Sequence, residues 1–551
     1  MRIALLRLTT LGSLVLALSA CGGGGGGGDS STTPSPTTNP GGTGGTTSLT
    51  YVANSYSPSS SFAARCAVPR TGTDPGTGKP YPDQGGSVLS ENFWLRSWTH
   101  ELYLWYREVA DRDPALDATS LAYFNTRKTS AVTASGRARD QFHFTYTTAD
   151  WEALSQSGVS AGYGIEWVLL ATTPPRAAVV AYTEPGSPAV AANLTRGVRV
   201  LRIDGVDLVN DNTQAGVDTL NAGLYPSAAG QSHTFQVQEL NGTTRTLTMV
   251  SANVTSAPVQ SVQIYATGSG ASVGYMLFND HLATAESALY NAFTQLRNAN
   301  VADLVLDIRY NGGGYVAIAS EVGYMIAGSA ASGRVFETTQ FNDQYAASIN
   351  PVTGGTNSPE NFRSAAAGLS LTAGTALPTL NLTRVFVITG GGTCSASESI
   401  INGLRGIGLQ VIQIGTGTCG KPYGFYPTDN CGTTYFSIQF QGINAAGFGD
   451  YPDGFAPQYP AGNSGVLLPG CAVADDFTKP LGDVNERRLA AALYYRTNGS
   501  CSPALTLAPA SATSGAVAAS GDLQAADPLA LKSPARPWRE ERILGLPSRK
   551  P

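Results

Sequence analysis

Three short apolar runs in the second half of the chain, Leu304 to Ile308, Arg384 to Thr389 and Gln410 to Ile414, alternate with helical stretches. The first is apolar almost throughout, as a strand buried on both faces must be. Tyr275 to Phe278 precedes it as a further apolar run. Between them, Ala285, Ala288, Leu289, Ala292, Phe293 and Leu296 fall on one face of a helix over Ala283 to Leu296, and Ser395 to Leu404 reads as a second helix. Strands alternating with helices of this length predict a parallel sheet, so residues 259–502 are expected to form an α/β core. Residues 335–380 carry no clear period and read as an insertion in it.

The remaining chain asks for more than one domain. The whole chain of 551 residues corresponds to three to four domains at about 150 residues each. Charged residues make up 13%, low for a soluble protein, and the net charge of −5 gives no basic face for nucleic acid. Four His and no Cys-x-x-Cys leave little for a zinc site, and neither metal nor cofactor is expected. Residues 1–21 form an export signal: Arg2 and Arg7, an apolar stretch from Leu8 to Leu18, then Ser19-Ala20-Cys21. That ending resembles a bacterial lipobox, which implies a lipid on Cys21 and an exported, membrane-anchored lipoprotein on the periplasmic face or cell surface of the outer membrane. A glycine run from Gly22 to Gly28 opens a Gly/Ser/Thr/Pro tether over 22–50. After residue 502 the chain turns Ala-, Pro- and Ser-rich, and 503–551 is expected to be a disordered tail.

Residues 51–156 are expected to form a small helical domain. Trp94, Trp98, Leu102, Trp105 and Val109 recur at helical spacing and predict one helix over Asn92 to Ala110. From about Ser160 short β-rich runs take over: Tyr163 to Trp167, Ala177 to Tyr182, Val198 to Ile203, Thr234 to Val237 and Thr246 to Val250. With the Gly162-Tyr163-Gly164-Ile165 loop, the Glu184-Pro-Gly-Ser-Pro-Ala segment and the Ile203-Asp-Gly turn, residues 157–258 resemble a PDZ domain. The resemblance implies that Gly162, Tyr163, Gly164 and Ile165 hold a peptide's terminal carboxylate while the adjacent strand edge accepts the peptide.

Few groups in 260–500 can activate a nucleophile: the only His is His281, and the only Lys are Lys421 and Lys479. Ser395 stands at a strand-to-helix junction in Thr393-Cys-Ser-Ala-Ser-Glu398, where helix N–H groups favour developing negative charge. Ser395-x-x-Glu398 also fits a capping box. Leu306-Asp-Ile-Arg-Tyr-Asn-Gly-Gly-Gly314 is a strand ending in a glycine loop, without the spacing of a phosphate loop. Gly420-Lys-Pro-Tyr-Gly-Phe425 follows the next strand. In this order the three segments resemble the carboxyl-terminal processing peptidases, or tail-specific proteases. These are Ser/Lys enzymes with a PDZ domain ahead of a core of the crotonase and Clp-protease type.

The resemblance implies Ser395 as nucleophile, Lys421 as general base, and the N–H groups of Gly313 and Ala396 as the oxyanion hole. Its substrates would be unfolded or C-terminally exposed proteins and peptides. One position departs from the family: a Gln usually found four residues after the lysine is Phe425 here. A non-catalytic peptide-binding scaffold is therefore the alternative reading, and an acyl-CoA enzyme of the crotonase type is a third, opposed by the export signal. His281 reads as a helix cap or solvated residue, with a Ser-His pair as the minor alternative. With Cys21 set aside, Cys394–Cys419 would brace the site, but Cys419–Cys431 across the following hairpin is preferred, together with Cys471–Cys501.

Overall fold

A computed structural model describes residues 49–75, 77–266, 271–460, 464–506, 530–531 and 542–543. The signal, Cys21 and nearly all of the tether therefore lie outside the described residues. No helix among the described residues is long and apolar enough to cross a membrane.

The architecture is mixed α/β. Its centre is a seven-stranded sheet in the order Val259–Tyr265, Val273–Phe278, Asp303–Asp307, Arg384–Thr389, Gln410–Gly415, Val466–Ala472, Phe455–Tyr459. All neighbours run parallel except the first pair. Side-chain alternation explains why its strands are apolar throughout. Met276, Leu304, Leu306, Val385, Val387 and Val411 face one core, with helices Ala285–Asn298, Val316–Ala327 and Ala396–Gly406 packed on them. Tyr275, Val305, Phe386, Ile388, Ile412 and Ile414 face the other, covered by helix Arg487–Asn498 through Leu489 and Ala492. Burial on both faces is what holds a parallel sheet together.

Segment 335–380 is not a bare insertion. Its strand Val335–Phe341 lies between Glu360–Asn361 and Phe440–Ile443 in a second sheet that ends at Tyr423–Gly424, just past Lys421.

Residues 159–255 build an antiparallel sheet of their own in the order Thr244–Val250, Ser232–Gln238, Arg199–Ile203, Ala177–Thr183, Ile165–Ala171. Helices Pro188–Ala191 and Gln214–Leu224 accompany it. Ile165–Ala171 is the end strand of that sheet.

The tryptophan-rich helix spans Val88–Leu102 rather than 92–110. Tyr103 leaves it in an extended conformation, φ −62° and ψ 132°, and the Leu104 N–H pairs with the Ile438 carbonyl at 2.8 Å. Tertiary pairing thus overrides the helical period, and Trp105 lies beyond the helix. Trp94 and Trp98 stack at 5.1 Å and meet Tyr435 of the core. Strand Phe144–Thr147 adds to the hairpin Thr428–Asn430 and Thr433–Phe436.

The disulfides are Cys66–Cys431, Cys394–Cys419 and Cys471–Cys501. The preferred Cys419–Cys431 pairing is therefore wrong, whereas Cys471–Cys501 forms as expected. Strands Arg384–Thr389 and Gln410–Gly415 are parallel neighbours, so the loops that leave their ends bring Cys394 to Cys419. Cys431, at the hairpin turn with φ 60°, reaches the N-terminal segment instead.

Candidate active site

The Ser395 junction is built by a tight turn. Strand Arg384–Thr389 ends at Gly390, whose N–H donates to Thr393 Oγ1 at 3.0 Å, and the Thr393 hydroxyl donates to the Ile308 carbonyl at 2.8 Å. Ser395 then takes φ 57° and ψ −115°, and the helix begins at Ala396. A non-glycine residue there costs about 1–3 kcal/mol, a strain that persists only where surrounding contacts enforce it. Ser395 is fully buried, and its Oγ has no hydrogen-bond partner among the described residues. The reciprocal capping box is thus half made: the Ser395 N–H donates to Glu398 Oε2 at 3.0 Å, while the serine oxygen stays available.

Glu398 ties this junction to the lysine loop. Its carboxylate also accepts the Lys421 N–H at 2.8 Å, the Gly420 N–H at 2.9 Å and the Thr418 hydroxyl. Burial raises the pKa of Glu398, and those four donors oppose the rise. The Cys394–Cys419 disulfide makes a second, covalent tie between the same two loops. Gly420 must be glycine: its φ is 87°, and a Cβ there would sit 2.2 Å from the Pro452 carbonyl oxygen. Lys421 is completely buried, with Nζ 4.4 Å from the Phe425 ring centroid and 4.7 Å from that of Phe142. Phe425, where a Gln was expected, packs on Phe436 and Phe144 and presents its ring to Lys421 Nζ.

The glycine loop is organised by Asn311. Its carbonyl accepts the Cys394 N–H at 3.1 Å and the Ser397 hydroxyl at 2.9 Å, which seats the loop against the serine junction. Its side chain donates to the Phe278 carbonyl at 3.0 Å, and Oδ1 accepts the Gly313 N–H at 3.0 Å. Gly313, expected as an oxyanion donor, therefore spends its N–H within its own loop. The Ala396 N–H lies in the first helical turn, where amides have no intrahelical acceptor.

His281 is neither a cap nor solvated. It is fully buried, with Nδ1 2.9 Å from Asn311 Oδ1, and burial lowers its pKa to about 3. Its backbone clamps the loop: its N–H donates to the Gly313 carbonyl and its carbonyl accepts the Tyr315 N–H, both at 3.0 Å. Behind the loop, Arg309 is enclosed by Asp307, Asp475 and Glu486, which anchors the strand end to helix Arg487–Asn498.

Residues 272–425, which hold His281, the glycine loop, the Ser395 junction and Lys421, match the family model Peptidase family S41. These residues are a peptidase family S41 domain. Among curated proteins, the chain is 27% identical over 235 residues to carboxyl-terminal-processing peptidase 2, chloroplastic, of Arabidopsis thaliana, covering 41% of this chain and 42% of that one. It is 26% identical over 187 residues to the chloroplastic C-terminal processing peptidase of Tetradesmus obliquus, covering 32% and 39%. The matches thus span about two fifths of the length of these curated relatives. A solved structure from Bacteroides fragilis assigned to the S41 proteases overlays with a TM-score of 0.53 at 24% identity, covering 76% of this chain and 98% of that one. That likeness extends the shared fold well beyond the S41 segment.

Two contributions to the site were not singled out as residues by the sequence. Phe142 comes from far upstream, in a segment with no motif, and Asn311 was visible only as part of the Asn-x-Gly-Gly loop. Cys394, Glu398 and Cys419 approach one another as ligands would, but the two sulfurs are bonded to each other and the carboxylate is filled by donors.

Away from the S41 segment, the Gly162 to Ile165 loop borders a cavity of about 30 Å³ shared with Glu166, Glu184 and Val254. Tyr163 is buried in the core of its own sheet, and its carbonyl accepts the Ala189 N–H at 3.0 Å. Gly164 has φ 70°, and a Cβ there would strike Ser187. Glu184, on the cavity wall, accepts the Ala257 N–H at 2.9 Å and the Gln260 amide at 3.2 Å.

Proposed function

We propose that this chain is a serine endopeptidase of the C-terminal processing type, with Ser395 as nucleophile and Lys421 as general base. The observation that carries the reading is the double tie between the two residues. Glu398 accepts a backbone N–H from each, and the Cys394–Cys419 disulfide joins their buried loops. Ser395 Oγ attacks the scissile carbonyl carbon while its proton passes to the neutral Lys421 amine. The ammonium then gives that proton to the leaving amine, and water, deprotonated by the same lysine, hydrolyses the acyl-enzyme. The chemistry needs the neutral amine, and the Phe142 and Phe425 faces stabilise the ammonium it becomes. The Phe142 and Phe425 rings pack against the lysine nitrogen where a Gln was expected. The oxyanion receives the Ala396 N–H, and Gly313 joins it once its amide turns from Asn311 toward the charge.

In this reading residues 157–258 act as a PDZ-like capture module, with the outer edge of Ile165–Ala171 accepting a substrate strand. Export and a lipid anchor at Cys21 would place the enzyme on the outer membrane, with exported proteins as substrates. The test is cleavage of an unfolded protein by wild type, Ser395→Ala and Lys421→Ala. Both variants should lose cleavage while melting as the wild type does. A wild type that cuts nothing across a broad substrate panel would leave the scaffold reading in place.

A further inference from the structure

Two described points of the C-terminal region are not random coil. Arg542–Ile543 pairs in parallel with Gly314–Tyr315, in the register Gly314↔Arg542 and Tyr315↔Ile543. Gly314–Tyr315 is the strand that leaves the glycine loop, and its other side is held by the backbone of His281. Tyr423–Gly424, two residues past Lys421, lies within 8 Å of the same segment, Cα to Cα. The tail backbone at Arg542–Ile543 therefore pairs with the strand that leaves the glycine loop and lies close to the segment that follows Lys421. Farther back, Leu531 is 2% exposed and joins the core of the sheet of residues 159–255, and its N–H donates to the Thr172 carbonyl at 2.9 Å. Thr172 directly follows the end strand Ile165–Ala171. The two contacts are independent: one lies beside the glycine loop and the segment that follows Lys421, the other just past the strand whose edge the proposed function gives to substrate.

A peptidase of this kind has to hold its substrate as an extended strand, with main-chain hydrogen bonds supplying affinity whatever the side chains. A segment paired with Gly314–Tyr315 occupies that edge. We propose that the chain's own residues 542–543 bind the catalytic cleft as a substrate-like strand, with Leu531 as the upstream anchor, so that the tail competes with substrate in cis. The inference rests on the peptidase reading. Tethering makes the competition effective even for a weakly held segment, since a linked ligand has an effective concentration in the millimolar range.

The test compares the full chain with a chain ending at Glu541. With wild-type Ser395, the shortened form should show a KM lower by about threefold or more at similar kcat, and a synthetic peptide of residues 536–551 should inhibit it competitively. In the Ser395→Ala background, amide hydrogen exchange over residues 312–318 should be faster in the shortened form. Loss of tail mass from the wild type but not from Ser395→Ala also counts in favour, because it shows the tail reaching the nucleophile. Equal exchange over 312–318 in the two forms overturns the proposal, whatever the activities. Faster exchange in the shortened form, with neither form cutting any substrate, supports the docked tail and overturns the peptidase reading instead.

Discussion

Ser395 is held in a conformation that a serine avoids, and the group that holds it is Glu398. One carboxylate accepts backbone N–H groups from Ser395, from Gly420 and from Lys421, so a single side chain fixes both halves of the proposed dyad. Glu398→Gln keeps the size but turns an amide toward backbone donors. Leaving such donors unpaired costs about 1–3 kcal/mol each. We expect a lower melting temperature and a kcat reduced by about tenfold or more, a tenfold loss corresponding to about 1.4 kcal/mol. Kinetics and thermal melting check both, and unchanged kcat would remove Glu398 from its positioning role. His281 shows the opposite relation between sequence and role. Its position suggested a cap or a rival base, yet its backbone serves as a clamp on the glycine loop.

Segment 335–380 and the core helices meet at a pair of buried carboxyls. Glu286, at the start of helix Ala285–Asn298, accepts N–H groups from Gly368, Ser370 and Leu371, while Glu321, in helix Val316–Ala327, accepts the Ala367 N–H at 2.8 Å. Burial, helped by the charge of Glu286, raises the Glu321 pKa to about 8 from an ordinary 4.5. The sign follows from linkage. A carboxyl whose folded pKa is raised contributes stability that is fully present below about 4.5 and is lost as pH rises through about 8. Glu321→Gln removes that loss. It should melt several degrees above wild type at the alkaline end of that window and close to it at the acid end. A difference in melting temperature that does not change with pH would contradict the assignment. The Cys394–Cys419 disulfide acts on the same scale, since it joins two β–α loops rather than two domains.

Across the whole molecule, what was legible is what has a period or a local motif. The parallel sheet could be read because strands buried on both faces are apolar throughout, and the three site segments because their order and spacing survive in the chain. What was missed depends on tertiary closure. The helix through Trp105 stops at Leu102 because Leu104 pairs with Ile438, and Cys431 turns away from its own hairpin to reach Cys66. Phe142 reaches Lys421 only once the N-terminal region has packed onto the core, and no local pattern marks it. The tail contacts at Leu531 and Arg542–Ile543 replace part of the expected disorder, and a two-residue strand leaves no period to read. In the proposed reaction Ser395 is acylated with Lys421 as its base. Acid quenching of the enzyme with an activated ester, followed by mass spectrometry of its peptides, tests this most directly. An acyl adduct should form on Ser395 in the wild type and not in Lys421→Arg, whose guanidinium cannot take the serine proton. An adduct on another residue, or one that forms equally in Lys421→Arg, would contradict it.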